Sequence, residues 1–256
     1  MRIVRFNFGG DIFYGELNNE TITQWSDAPW LGGTKQTLEF NLTSVKLLAP
    51  CTPGKIIATA INYEGSTGLP EGAKEPLVFL KPSTSVIGPG DTIVSPFNDV
   101  PVWGESELAI VIGKKLCKAS KEEAIVGIFG FTIGNDVSAE NLYGWDHHLA
   151  RSKAADTFCA LGPWIDTDYK PESKKIRGFH NGVLLREGDP TQRLIAEPEL
   201  LVWLSKWMTL EPGDVILTGA PNRVRAREYL KTGDTFTCAI EGLGELTNDF
   251  VLYQNS

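Results

Sequence analysis

Two absences set the first limits on this 256-residue sequence. No segment approaches the roughly 18 consecutive apolar residues that cross a bilayer. The start, MRIVRFNFGGDIFYG, alternates polar and apolar residues around a Gly pair, where a secretory leader needs a basic start and an unbroken apolar stretch. A soluble, cytoplasmic protein is therefore expected, with no membrane partner. Basic charge is also scarce: 24 Lys and Arg against 32 Asp and Glu give a net charge of −8. Without a dense Lys/Arg cluster the footprint of a nucleic-acid binder is missing. An acidic small substrate remains compatible, because a bound divalent cation reverses the local field. Cysteine is sparse too. Cys51, Cys117, Cys159 and Cys238 form no CxxC pair and no Cys/His cluster of zinc spacing, so they are expected to be reduced and mostly buried.

What is present suffices for a full core. The length and a 42% hydrophobic content suit one domain with a small appendage. Residues 1–48 read as that appendage, with short alternating strands over 2–8 and 12–17, and residues 49–256 as the main domain. Residues 55–61 make an apolar run of buried-strand length. Residues 62–76, with three Gly and two Pro, read as a long loop, either a lid or a plain connector. Three segments, Pro89-Gly90-Asp91, Pro212-Gly213-Asp214 and Thr232-Gly233-Asp234, each read as a tight turn feeding a strand. Helices are few. Ser120 and Glu123 form a capping box for a helix through Val126, and Pro198 opens a second one in which Trp203 and Trp207 pair as core. With no βαβ alternation and no Gly-rich phosphate loop, the class is α+β, mainly β.

Residues 101–113 read as one strand entering the core, and the period of two places Glu105 and Glu107 on one face. A Glu-x-Glu pair alone also suits a solvated face, yet the apolar run behind it makes two adjacent buried carboxylates costly unless a cation intervenes. A second strand, 128–133, leads to Asp136, which alone also suits a turn. Three carboxylates without His or Cys would form a hard oxygen site for Mg²⁺, Mn²⁺ or Ca²⁺.

The motifs KIIATAINY (55–63), FLKP (79–82), IGPGD (87–91), ESELAIVIGK (105–114), GNDVSA (134–139), RSKAADTF (151–158), LGPW (161–164) and MTLEPGDVILTG (208–219) follow one another in order. This succession resembles the fumarylacetoacetate hydrolase family from about residue 50 to the C-terminus. The resemblance implies a mixed β-sandwich roll, a homodimer, a lid over 62–76, and Mg²⁺ or Mn²⁺ held by Glu105, Glu107 and Asp136. It also makes Lys153 the active-site lysine, suited to hold negative charge or move a proton beside a metal-chelated 2-oxo acid.

The departures from the family pattern fall where the substrate lies. The lid form NYxxHxxE has Ser66 and Leu69 at its His and Glu positions, and neither serves as a general base. Glu64 and Glu71 are the acidic residues left in that loop. Where the family has Arg and Gln after its NDVSA motif, this chain has Glu140 and Tyr143, and the family's Gly-Thr reads Gly219-Ala220. His147, His148 and Arg151 are either replacement donors or surface residues. Ser66, Glu140, Tyr143, Gly219 and Ala220 thus stand as the substrate-contacting positions. The expected activity is C–C hydrolysis, decarboxylation or keto–enol isomerisation of a small 2-oxo acid. Loss of the dyad favours the last two, and the rival is a member that binds such an acid without turnover.

Overall fold

The computed structural model describes residues 1–66 and 75–253. Leu69 and Glu71 fall outside them. Among the described residues, two mixed sheets dominate. The larger runs in the order Lys35–Asn41, Thr21–Trp25, Asp11–Asn18, Arg2–Phe8, Cys159–Asp166, Ile128–Asp136, Ser106–Ile112, Val215–Leu217, Ile56–Ala60 and Leu77–Lys81. Its neighbours are antiparallel except that Val215–Leu217 and Ile56–Ala60 run parallel, as does Val86–Ile87 beside Cys159–Asp166. The smaller sheet orders Val183–Gly188, Ile176–His180, Thr235–Ile240, Gly244–Leu252 and Ile93–Ser95. This is the expected α+β, mainly β, sandwich-roll class. No helix is long and apolar enough to cross a membrane among the described residues.

The strand Ser106–Ile112 is buried on both faces, and each face has its own apolar neighbours. Leu108, Ile110 and Ile112 join Phe236, Ile240, Leu246 and Phe250 between the sheets. Ala109 and Val111 join Ile56, Ala58, Val215, Leu217 and Leu161 inside the curl of the larger sheet. Burial of this kind is the main favourable term in the fold. It also means that any polar side chain on the second face must be accommodated by a built site.

The single strand expected over 101–113 is interrupted. Val102–Trp103 pairs with Ser138–Ala139 in a separate ribbon, and the core strand begins only at Ser106. Gly104 and Glu105 lie between the two strands, and at Gly104 a Cβ would lie 2.5 Å from the Phe236 ring. The second strand runs on past residue 133, and Asp136 is the last residue of Ile128–Asp136, at the strand terminus where the sequence placed a carboxylate and not in the alternative turn.

The local punctuation follows the sequence closely. Gly90, Gly213 and Gly233 all take positive φ. The Asp after each accepts a hydrogen bond from the backbone N–H three residues before it: Asp91 from Gly88, Asp214 from Glu211, and Asp234 from Lys231. The Ser120–Glu123 capping box opens the helix Lys121–Gly127. Pro198 lies in the first turn of the helix Glu197–Ser205. Trp203 and Trp207 do pair, with ring centroids 5.3 Å apart. Trp203 packs against the core as expected, whereas Trp207 follows the end of the helix and is 54% exposed, so only one member of the pair belongs to the core. Cys51, Cys159 and Cys238 are buried, Cys117 is exposed, and all four are free thiols.

Candidate metal centre

Backbone pairing brings the carboxylates together. Across the antiparallel ladder Ser106 faces Asn135 and Glu107 faces Gly134. One step further on, the Asp136 N–H donates to the Glu105 carbonyl at 2.9 Å, and the Glu105 N–H donates to Asn135 Oδ1 at 2.9 Å. Glu105 therefore stays in register beyond the formal strand end, and both Glu side chains reach the same side. Opposite Glu107, Gly134 lets Leu217 pack against the strand where a side chain would otherwise sit: a Cβ there would lie 2.5 Å from Leu217 Cδ2. The result is a cluster in which Glu105, Glu107 and Asp136 each offer an oxygen, all within 4.8 Å of one another.

Cations surround two of the three acids. Lys153, at the end of the short helix Ala150–Lys153, donates to Asp136 Oδ2 at 2.5 Å, to Glu105 Oε2 at 3.0 Å and to Ser138 Oγ at 2.5 Å. Its ammonium also lies 4.9 Å from the centre of the Phe79 ring. Burial disfavours its charge, but Asp136 and Glu105 outweigh burial, so it is held protonated well above the ordinary lysine range. Lys81 of FLKP is 1% exposed and donates to Asp136 Oδ1 at 2.6 Å and to the Val137 carbonyl at 3.2 Å. Arg186 donates to Glu105 Oε1 at 2.5 Å and to the Pro221 carbonyl at 2.8 Å. Burial raises the Glu105 pKa, yet Lys153 and Arg186 prevail and hold it well below the usual carboxylate range.

Glu107 is the exception. It is 2% exposed, and its one hydrogen bond among the described residues comes from the Gly219 N–H at 2.6 Å. Burial first, then the charges of Asp136 and Glu105, lift its pKa well above the carboxylate range, with Lys153 and the Gly219 N–H opposing. A buried carboxylate beside two others, with no side-chain cation of its own, is what a divalent ion would neutralise. The all-oxygen donor set suits a hard ion such as Mg²⁺ or Mn²⁺. The residues present therefore fit a metal.

The other sequence candidates divide. Ser66 and Ala220 line the same pocket of about 520 Å³ as the triad and Lys153. Ser66 Oγ donates to Asn222 Oδ1 at 2.9 Å. Gly219 donates its N–H to Glu107 Oε2 at 2.6 Å and is not among the pocket-lining residues. Tyr143 is 85% exposed, held out by its left-handed backbone (φ 63°), and is not among the pocket-lining residues. Glu140 is not in that lining either; it faces Arg227 at 3.6 Å. His147, His148 and Arg151 are exposed, the last stacked 4.3 Å from the Phe97 ring centre.

Sequence reading missed four arginines. Arg186, Arg223, Arg225 and Arg227 all line the pocket. The last three stand in the string RVRAR (223–227), a compact basic signal passed over because the whole chain is acidic. Lys81 lies in the FLKP motif, whose local pattern does not indicate that its ammonium meets Asp136.

Comparisons with known proteins agree with this architecture. The family model described as "Fumarylacetoacetate (FAA) hydrolase C-terminal" matches residues 55–251, and one described as "Rv2993c-like, N-terminal" matches residues 1–50. The oxaloacetate tautomerase fahd2, mitochondrial, of Xenopus laevis is 37% identical over 227 residues, covering 82% of this chain and 69% of that protein. A crystal structure of 2-hydroxyhepta-2,4-diene-1,7-dioate isomerase from Mycobacterium marinum superposes with a TM-score of 0.90 at 34% identity over the whole of both chains. A maleylpyruvate hydrolase from Sphingobium sp. SYK-6, solved with manganese(II) and pyruvate, has a TM-score of 0.78 at 28% identity, covering 99% of this chain and all of that one.

Proposed function

The chain belongs to the fumarylacetoacetate hydrolase family, and from that premise we propose that it is a divalent-metal-dependent enzyme that moves a proton on a small 2-oxo acid, a keto–enol isomerisation. The observation that carries this reading is Glu107, enclosed with Glu105 and Asp136 and lacking, among the described residues, a cationic side-chain partner of its own. These three residues would hold Mg²⁺ or Mn²⁺, with Ca²⁺ an acceptable substitute in crystals. When bound, the ion supplies Lewis-acid polarisation of the 2-oxo carboxylate.

The protein's own residues supply the remainder. Lys153, charged and fixed by three oxygen partners, would set a positive charge beside the metal end of the pocket, where a substrate oxygen gains negative charge, and one of its N–H groups would have to leave a present partner to hold or move a proton there. Lys81 and Arg186 hold Asp136 and Glu105 from behind, so the acids are oriented before any ligand arrives. Hydrolysis is less well supported. Ser66 is bound to Asn222 in place of a water-activating His, and leucine at 69 has no proton to exchange. The names of two relatives, a tautomerase and an isomerase, favour the same choice. We extend the proposal to a homodimer, as this family resemblance implies, which sedimentation of the purified protein checks.

The test is the rate of oxaloacetate enol-to-keto conversion, followed by enol absorbance, with Mn²⁺ and then with excess EDTA. Pyruvate release and acylpyruvate cleavage are measured in parallel. Enol conversion that EDTA abolishes and Asp136→Asn lowers by at least about tenfold agrees with the proposal. Turnover indifferent to both EDTA and Asp136→Asn refutes it, and rapid acylpyruvate cleavage would reassign the reaction to hydrolysis.

A further inference from the structure

The pocket carries more positive charge than the triad requires. Lys153, Arg186, Arg223, Arg225 and Arg227 line it against three carboxylates, in a protein whose net charge is −8. Lys153 and Arg186 are engaged with Glu105 and Asp136. Arg223 and Arg225 have no carboxylate within 4 Å among the described residues. Adding a divalent ion at the triad would widen the imbalance, and uncompensated cations of one sign repel unless an anion joins them.

The three arginines of the 223–227 segment are placed by the fold. The Val224 N–H donates to the Leu185 carbonyl at 2.8 Å and Arg223 bridges Arg186, which ties the segment to the strand Val183–Gly188. The Leu230 N–H donates to the Val102 carbonyl at 2.8 Å, which fixes its other end. Between them Arg227 stacks 3.9 Å from the Trp103 ring centre and faces Glu140. Glu140 occupies the position after the NDVSA motif where the resemblance leads one to expect arginine. The positive charge lost there returns from another element, and the glutamate serves as its anchor.

We propose that Arg223 and Arg225, with Arg227 held beside them, form a second anion subsite that binds a carboxylate at the end of the substrate remote from its 2-oxo acid group. The substrate class is accordingly a small 2-oxo diacid. Guanidinium forks match a carboxylate with two parallel N–H···O bonds, which a neutral chain end cannot reciprocate. Although Arg223 is exposed overall, its partial desolvation against the pocket wall, and after it the like charges of Arg227 and Arg186, shift it downward. This assignment rests on the 2-oxo acid reading given above and specifies its other end.

Calorimetry on the Mn²⁺-loaded protein separates the two. Three probes are titrated: oxalate, which fills the metal end alone; 2-oxoglutarate, which has a distal carboxylate; and 2-oxopentanoate, which has a methyl group in its place. Wild type should bind 2-oxoglutarate at least tenfold more tightly than 2-oxopentanoate, a difference of about 1.4 kcal/mol. In Arg223→Ala/Arg225→Ala that preference should fall to within about twofold, with oxalate and Mn²⁺ affinities unchanged. Both side chains are exposed, so their removal leaves the core intact. Equal binding of the two acids by wild type overturns the subsite, as does parallel loss of oxalate and diacid binding in the variant. Failure of wild type to take up Mn²⁺, read from the free-ion EPR signal, refutes the metal reading instead. The subsite is then judged by the same diacid preference measured without metal.

Discussion

Glu107→Gln should make the metal-free protein more stable and abolish its response to divalent ions. Glu107, Glu105 and Asp136 present oxygens within 4.8 Å of one another, and at an effective dielectric constant of about 20 two such charges repel by about 3.5 kcal/mol. At that separation two neighbours bring roughly twice as much. Lys153 beside the group and partial protonation of Glu107 itself reduce it, so a net gain of about 1–3 kcal/mol is expected for the neutral amide. The Gln oxygen can still accept the Gly219 N–H. For a chain of this size about 1 kcal/mol moves Tm by roughly 2–4 °C, so the EDTA-treated variant should melt about 2–12 °C above wild type. Wild type in Mn²⁺ at a hundred times its Kd should gain about 2.7 kcal/mol, whereas the variant should gain almost nothing. Thermal denaturation of both proteins with EDTA and with Mn²⁺ therefore gives a crossing pattern. A metal-free variant less stable than wild type, or one with a full Mn²⁺ shift, would show that Glu107 is neither strained by its neighbours nor a ligand.

Two further outcomes test the scaffold. Gly134→Ala places a Cβ 2.5 Å from Leu217 Cδ2, so urea denaturation should show a loss of about 1–3 kcal/mol, and combining it with Leu217→Ala should give less than the sum of the two separate losses. Additive losses would place the crowding elsewhere. In the native protein Cys117 alone should react quickly with a thiol reagent, and all four cysteines should react after unfolding. Burial pushes Cys51, Cys159 and Cys238 up to about 12. A raised thiol pKa adds stability that is complete below the unfolded value of about 8.5 and is lost as pH climbs towards 12. Stability should accordingly decline across that alkaline window, and fast reaction of more than one native thiol at pH 8 would contradict the burial.

Much of this protein is legible in its sequence because the deciding signals are local. The Gly of each Gly-Asp turn takes a backbone conformation that few other residues tolerate, and all three turns form. The Ser120 capping box, the apolar strand runs and the family of the chain were equally plain, since each rests on residues adjacent in sequence or on motifs in fixed order. The acidic trio was also nameable, although the reason first given for two of its members, one continuous strand, was incorrect. The strand is interrupted at Gly104 and Glu105, and pairing of Glu105 with Asp136 restores the alignment from outside it.

Only the tertiary structure decided what surrounds the trio. Lys81 lies 55 residues before Asp136 in the chain and Arg186 lies 81 after Glu105, and a charge's partner at that separation is set by sheet order, which no local pattern encodes. Tyr143 is turned outward, Gly219 is committed to Glu107, and the arginines of 223–227 reach the pocket by bridging to a strand of the other sheet. The sequence determines which groups are available. Long-range pairing determines which of them meet, because electrostatic energy depends on distance in space and is indifferent to separation along the chain.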